Sequence, residues 1–395
     1  MKKLLIIAHN VNSAGITSQT INLINELKSR DDLKYTVVLP DHAGFSLFKN
    51  VKSDNLKIIL LPYPKNKIIR LLSRLFYELI CIPLITIKTN PESVLALANY
   101  LPMPIFFRKK AILIRHPYLL KKDLSDDSPL GKRLNEKLTR FLLKLTLLTT
   151  DLVIVQSDYM KDGFQKAFKN KVQLLVLPNP LSNAFKTKHE IEKKGSLKSE
   201  NDTINLFYPS RFYPHKNHTF INELVKKYHE ELEILKVRII VTLGKESVNY
   251  SFRYEKDLYE KLIAEIDISP YNKVIVNIGE LNQEELIQYY NNSTALFFPS
   301  SEETFGNGLI EGMFFRLPIL VPDLSYARII CDNAGIYFKP DDLDSVFQLI
   351  KIIATDKEFV NEQSLLSEQR FANFILTDEW VDTLIAKINS LYHKQ

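Results

Sequence analysis

Glu303 and Glu311 stand eight positions apart in residues 298–322, which read FPSSEETFGNGLIEGMFFRLPILVP. An apolar strand at 295–298 runs into Pro299-Ser300-Ser301. A loop then carries Glu303, Thr304, Phe305, Gly306, Asn307 and Gly308, and a helix carries Glu311. Glycine lets a backbone approach a bound molecule closely. A helix start presents N–H groups and positive potential, which suits a phosphate or the oxygens of a sugar. The spacing argues against a hydrolytic acid/base pair: eight helical positions rise roughly 12 Å, whereas a retaining pair stands about 5–5.5 Å apart. Separate roles fit better, one carboxylate accepting hydrogen bonds from a sugar and the other from a ribose.

A second constellation lies in residues 208–217, YPSRFYPHKN. A strand delivers Arg211 and a proline-containing turn delivers Lys216. Two fixed cations suit a diphosphate, which the arginine fork can grip in a plane. The plainer reading is solvated charge on a surface loop. Their position on the first strand after a change of composition favours the diphosphate. His116, in Ile114-Arg115-His116-Pro117, follows another strand, where a histidine serves either the structure or a ligand. No histidines and carboxylates share metal-ligand spacing, so no metal is expected.

Two series of strands and helices must position these groups. Apolar runs at 4–8, 35–39, 56–61, 93–98, 111–115, 152–156 and 174–177 predict strands. Residues 17–27 have helical spacing, with Ile21, Leu23, Ile24 and Leu27 on one side. Short apolar runs between helices point to parallel sheets covered on both faces. Residues 186–202, KTKHEIEKKGSLKSEND, are charged and poor in apolar side chains, which predicts a linker. Strands are expected again at 204–208, 237–243, 274–278, 295–299 and 319–321, with helices such as 284–290 and 309–315. A last helix around 377–391 holds Trp380 and should pack back on the first domain. The expected architecture is α/β throughout: a doubly wound domain at 1–185, the linker at 186–202, a second such domain at 203–375 and the returning helix at 376–395. The two domains should face each other across a cleft, with ligands beyond the carboxyl ends of the strands.

Composition sets the outer bounds. The chain has 395 residues, 45% hydrophobic and 25% charged, the profile of a soluble globular protein. Cys81 and Cys331 lack CxxC spacing, which disfavours a disulfide framework or zinc site and fits a reducing, cytoplasmic compartment. The N-terminal run MKKLLIIA stops at His9-Asn10 and is read as a first strand, not a leader. No run approaches the ~18 apolar residues of a membrane span. The net charge of +6 concentrates in two segments. Residues 65–88 carry Lys65, Lys67, Arg70, Arg74 and Lys88 against Glu78, and residues 132–144 carry Lys132, Arg133, Lys137, Arg140 and Lys144 against Glu136. Both alternate with Leu, Ile and Phe at helical spacing. They are either ordinary solvated helices or a face that rests on anionic lipid at the inner surface of the cytoplasmic membrane. No nucleic-acid motif accompanies the basic residues, so no nucleic-acid partner is expected.

Taken in order, these segments resemble the retaining GT-B glycosyltransferases of family four. That family's pattern is a strand, Pro-Ser, Glu-x-Phe-Gly-x-x-x-x-Glu, then Gly-x-Pro-Val. Here it reads Pro299-Ser300, Glu303-Thr304-Phe305-Gly306-Asn307-Gly308-Leu309-Ile310-Glu311, then Leu317-Pro318-Ile319. Residues 274–285 with Gly279, 151–163 and 178–180 resemble further segments of the family. The resemblance extends through both domains and is strongest from 206 to 340. It implies two Rossmann-like domains and a sugar moved, with its anomeric configuration retained, from a nucleoside-diphosphate sugar. That co-substrate stands in place of any cofactor, and the acceptor is a glycan or lipid-linked molecule of bacterial cell-surface polysaccharide synthesis.

By the same resemblance Glu303 would bind hydroxyls of the transferred sugar and Glu311 the ribose. Thr304, Phe305, Gly306 and Asn307 would line the sugar and phosphate through their backbone, with Gly308 and Gly279 in the donor-binding set. Arg211 and Lys216 would hold the diphosphate, and His116 would stand beside the donor sugar. Gly15 would join the set from the first loop. The family usually has Gly-Gly there, and Ala14 in this chain narrows or redirects the acceptor side. Arg316 replaces the glycine that usually follows the Glu311 helix, at an expected cost of about 1 kcal/mol. Two other readings share parts of this pattern. A GT-B sugar-nucleotide epimerase lacks the Glu-loop-Glu segment, and a non-catalytic sugar-nucleotide binder would retain it without turnover.

Overall fold

The computed structural model describes residues 2–391 apart from 12–13, 43, 52, 98, 103–107, 116–118, 120–129, 170, 184, 186–202 and 245–252. His116 and the anticipated linker at 186–202 lie outside the described residues. The chain divides into two compact units, residues 1–182 with 376–395, and residues 183–375.

In the first unit, β1 (Lys3–Ile7), β2 (Lys34–Asp41), β3 (Leu56–Pro62), β4 (Ser93–Ala96), β5 (Lys109–Leu113), β6 (Leu152–Val155) and β7 (Gln173–Val176) form one sheet. Every neighbouring pair is parallel, in the order β3-β2-β1-β4-β5-β6-β7. The sequence explains the arrangement: Leu4–Ile7, Val94–Ala96 and Leu152–Val155 are unbroken apolar runs, and all of them are buried. Strands covered on both faces need such runs. Crossovers are made by α1 (Ala14–Leu27), α2 (Lys67–Phe76), α3 (Ile82–Thr89), α4 (Leu130–Leu147) and α5 (Asp158–Ala167). A π-helical turn, Tyr77–Cys81, joins α2 to α3 without a loop. Asn66 caps α2, its side chain accepting from the N–H groups of Ile68 and Ile69.

The terminal helix Thr377–Ser390 belongs to this unit and packs on α1. Trp380, Val381, Leu384 and Ile388 are buried along its inner side. Arg30 pairs with Asp382 at 2.7 Å, and the Thr377 hydroxyl donates to the Leu181 carbonyl at 3.1 Å.

The second unit repeats the plan with β8 (Ile204–Tyr208), β9 (Val237–Val241), β10 (Ile275–Asn277), β11 (Ala295–Phe297), β12 (Ile319–Pro322) and β13 (Gly335–Phe338). The sheet is again all parallel, in the order β10-β9-β8-β11-β12-β13. Sequence reading omitted β13. No described helix of either unit is long and apolar enough to cross a membrane.

Candidate functional site

The strand order of the second unit reverses between β8 and β11: β9 and β10 are added on one side of β8, and β11, β12 and β13 on the other. At such a reversal the crossovers leave on opposite faces and a crevice opens beyond the carboxyl ends. Both clusters of candidate residues follow these two strands. After β8 the Ser210 N–H donates to Thr242 Oγ1 at 3.0 Å, which fixes the exit of the chain. A single turn, Pro214–Lys216, is closed by Asn217 at φ 58°, and the Tyr208 hydroxyl donates to the Lys216 carbonyl at 2.8 Å. After β11 the Ser301 N–H donates to the His215 carbonyl at 2.8 Å, so the two loops are tied to each other.

That tie brings Lys216 against Glu303. The Lys216 ammonium is in ion-pair and hydrogen-bond contact with Glu303 Oε1, and the Ser300 hydroxyl lies 2.8 Å from the same oxygen. Glu303 is only 9% exposed. The ammonium also sits 5.2 Å from the centroid of the Phe298 ring, which anchors the lysine stem. Arg211 is more open to solvent and lies 3.6 Å from Glu280 Oε2, a weaker attachment than that of Lys216.

Glu311 lies on the helix Asn307–Phe314 and accepts from the Tyr290 hydroxyl at 2.7 Å. Desolvation by burial pushes its pKa up; the Tyr290 hydrogen bond and the charge of Lys216 pull in the opposite direction. Tyr290 is held by stacking on Phe315, with centroids 4.9 Å apart and planes 5° from parallel. The helix begins at Gly306, whose φ of 68° and tight approach to Leu309 leave no room for a side chain. Gly308 brings the first turn against Phe298. Phe305 is fully buried and faces Phe374, so only its backbone is open to a ligand role. Thr304 and Asn307 are half-buried in the same loop and helix start. Gly279 follows β10 at φ 76°, its N–H donating to Asn277 Oδ1 at 3.2 Å. Gly15 belongs to the first unit, exposed in the opening turn of α1.

Lys216, Glu303 and Glu311 are therefore gathered in one unit at one edge of one sheet, while Arg211 follows the same strand as Lys216 and turns to Glu280 beyond β10. Three partners were not singled out from sequence: Ser300 for Glu303, Tyr290 for Glu311 and Glu280 for Arg211. Ser300 could have been found, since it lies in the Pro-Ser step of the motif. Tyr290 offers no such signal, because it comes from a different helix, Gln283–Asn291. The arrangement can accept hydrogen bonds from hydroxyl groups through two carboxylates in unlike surroundings. It can also meet an anion with a lysine already stripped of most of its water.

Residues 189–368 match the model of the family described as Glycosyl transferases group 1. The O-antigen chain mannosyltransferase RfbU of Salmonella typhimurium is 27% identical over 237 residues, 60% of this chain and 58% of that protein. The chain spans little more than half the length of the curated relatives it matches. Among solved structures, a glycosyltransferase from Rickettsia africae superposes with a TM-score of 0.70 at 14% identity, covering 100% of this chain and 99% of that one. The Anabaena Alr3699/HepE protein in complex with UDP gives 0.71 at 13% identity, covering 99% of this chain and 100% of that one. Such low identities speak to the fold alone. Two doubly wound sheets and the superposition on solved structures give the chain the GT-B fold, and its residues 189–368, with the Glu-loop-Glu segment after β11, are similar to the Glycosyl transferases group 1 family.

Proposed function

We propose that the chain is a retaining glycosyltransferase that moves a hexose from a nucleoside-diphosphate sugar to a glycan or lipid-linked acceptor. The observation that carries this reading is the buried Lys216–Glu303 pair at the reversal of the second sheet, with Glu311 and Tyr290 alongside. In this reading the second unit holds the donor and the first unit serves the acceptor. The diphosphate takes up Lys216 and Arg211, hydroxyls of the sugar take up Glu303, and the ribose takes up Glu311. Cell-surface polysaccharide synthesis in the cytoplasm is the proposed setting. A Salmonella relative named for O-antigen mannosyl transfer supports a cell-surface polysaccharide, and an Anabaena neighbour solved with UDP supports a nucleoside-diphosphate donor.

The chemistry follows from charge. The bond between the anomeric carbon and the β-phosphate oxygen breaks, and its electron pair leaves on that oxygen. The acceptor hydroxyl oxygen bonds to the anomeric carbon on the same face, and its proton passes to the departing phosphate oxygen. No side-chain base is then needed. Lys216 and Arg211 meet negative charge that grows in the transition state, in a site that is preorganised and partly dry. Two cations supply the compensation that a divalent metal would otherwise give.

Turnover decides between this reading and a binder that does no chemistry. With a panel of nucleotide sugars and a lipid extract as acceptor, one donor should be consumed at a rate that EDTA leaves unchanged. Loss of activity with EDTA, restored by Mg²⁺ or Mn²⁺, would assign the phosphates to a metal instead. Binding of a donor without turnover would leave a sugar-nucleotide-binding protein.

A further inference from the structure

The helical segment α2–α3 of the first unit has the wrong outer face for water. Ile68, Leu72, Phe76, Leu79, Leu84 and Ile87 recur at helical spacing, and each is more than half exposed. The inner face is made of Ile82, Ile85, Tyr77 and Thr86, which pack toward the sheet. A soluble protein rarely leaves so long an apolar stripe uncovered, and a stripe of this kind marks a docking surface.

The crossover α4 extends the same face. Both α2–α3, between β3 and β4, and α4, between β5 and β6, step in the same direction along the strand order. Right-handed crossovers then place both on one side of the sheet. Ile82, Ile85, Leu142 and Leu143 accordingly join a single core. Leu138 and Phe141 of α4 stand out from that side, 51% and 56% exposed.

Charge identifies the occupant. In residues 65–88 every charged side chain except Glu78 is basic. Glu78 is buried, where it pairs with Arg74 at 2.9 Å and contacts His9 at 3.0 Å. Arg74 is therefore spent inside the unit, while Lys65 and Lys88 stand exposed at the ends of the stripe, and Lys137 and Lys144 stand exposed on α4. A second copy would set cation against cation across a two-fold axis. An anionic bilayer complements both the charge and the stripe.

A pocket of about 210 Å³ opens behind α2, between the helix and the carboxyl ends of β1, β2 and β3, lined by His9, Asn10, Tyr63, Arg70, Leu71 and Arg74 among others. Leu71 lines the pocket and is also exposed, so it stands on the flank of α2 between the pocket and the stripe. The Arg70 guanidinium lies 5.2 Å from the Tyr63 ring centroid, with no acidic partner among the described residues. Buried His9 Nδ1 has no hydrogen-bond partner among the described residues. A guanidinium and an orphan ring nitrogen behind an apolar lip suit the phosphate of an amphiphile.

We propose that the outer face of α2–α3 inserts its apolar stripe into an anionic bilayer and that the pocket at Arg70 receives a lipid phosphate. The docking does not depend on glycosyl transfer, so either reading can fail without the other. Flotation of the full chain with phosphatidylcholine vesicles, with and without phosphatidylglycerol, tests it. The parent should float with the anionic vesicles and far less with neutral ones. Leu72→Gln combined with Leu79→Gln should weaken anionic-vesicle binding by about tenfold or more, and Arg70→Gln by about fivefold. These side chains lie outside the core, and unchanged thermal unfolding of the variants checks that the fold is intact. Equal recovery on both vesicle types, no recovery on either, or variants that float like the parent would overturn the proposal. So would a dimer in sedimentation that Leu72→Gln and Leu79→Gln dissociate without any effect on flotation.

Discussion

Glu303 and Glu311 differ in what surrounds them, and the difference makes separable predictions. Glu303 is paired to Lys216, whereas Glu311 rests on one tyrosine hydroxyl and has its pKa raised by desolvation. A raised carboxyl pKa means that the folded state binds the proton more tightly than the unfolded chain does. Below the ordinary glutamate value both states are protonated and the site carries no penalty. As pH rises through the raised value the buried carboxylate ionises and stability falls. Glu311→Gln should therefore raise the melting temperature of the unliganded protein at neutral pH and leave it close to the parent in mild acid. Thermal unfolding of both proteins across that pH range checks this, and a difference that does not change with pH would contradict it. Lys216→Ala should lower turnover by about 10²–10³ while weakening donor binding much less, because its charge matters most in the transition state. Steady-state kinetics, with kcat separated from KM, reads the split. The motif residues were legible because they are close in sequence and follow strand ends. The Tyr290–Glu311 bond was not, since no periodicity connects two helices 21 positions apart.

At the scale of elements, one buried carboxylate ties three segments of the first unit together. Glu78, in the π-helical turn, meets His9 after β1, Arg74 of α2 and Tyr100 after β4. Burial alone would raise its pKa, but the hydrogen bond from His9, the charge of Arg74 and the bond from Tyr100 outweigh it and bring the value down to about 2. The stability it contributes is complete above the ordinary glutamate pKa and is lost as pH falls toward about 2. Glu78→Gln should cost about 3–5 kcal/mol, because Arg74 would be left half-buried without its counter-charge. Denaturant titration at neutral pH measures this. In the second unit Arg316 ends its helix at φ 59°, a conformation that favours glycine. Arg316→Gly should stabilise the fold by about 1 kcal/mol, since the exposed Arg316–Glu368 pair it removes is worth little. The central strands were readable as unbroken apolar runs. β13 was not, because only Ile336 and Phe338 of its four residues are buried. Strand ends also shifted: β2 continues through Pro40 and Asp41 because Leu61 and Pro62 of β3 pair with them.

At the scale of the whole molecule, the chain builds two similar sheets and returns its last helix to the first of them. Trp380, Val381, Leu384, Ile385 and Ile388 are all buried there. Each such side chain is worth about 1.5–3 kcal/mol of burial, so together they rival the about 5–15 kcal/mol that holds a typical domain. Truncation before Leu376 should abolish the thermal transition of the first unit and preserve that of the second, as read by calorimetry. The central claim, that the second unit is built around a nucleoside-diphosphate sugar, is met most directly by isothermal titration of nucleoside diphosphates into the parent, Glu303→Ala and Glu311→Ala. One diphosphate should bind the parent and Glu303→Ala with similar affinity and bind Glu311→Ala far more weakly. No binding by any of them to the parent, or equal losses in the two variants, would contradict the account.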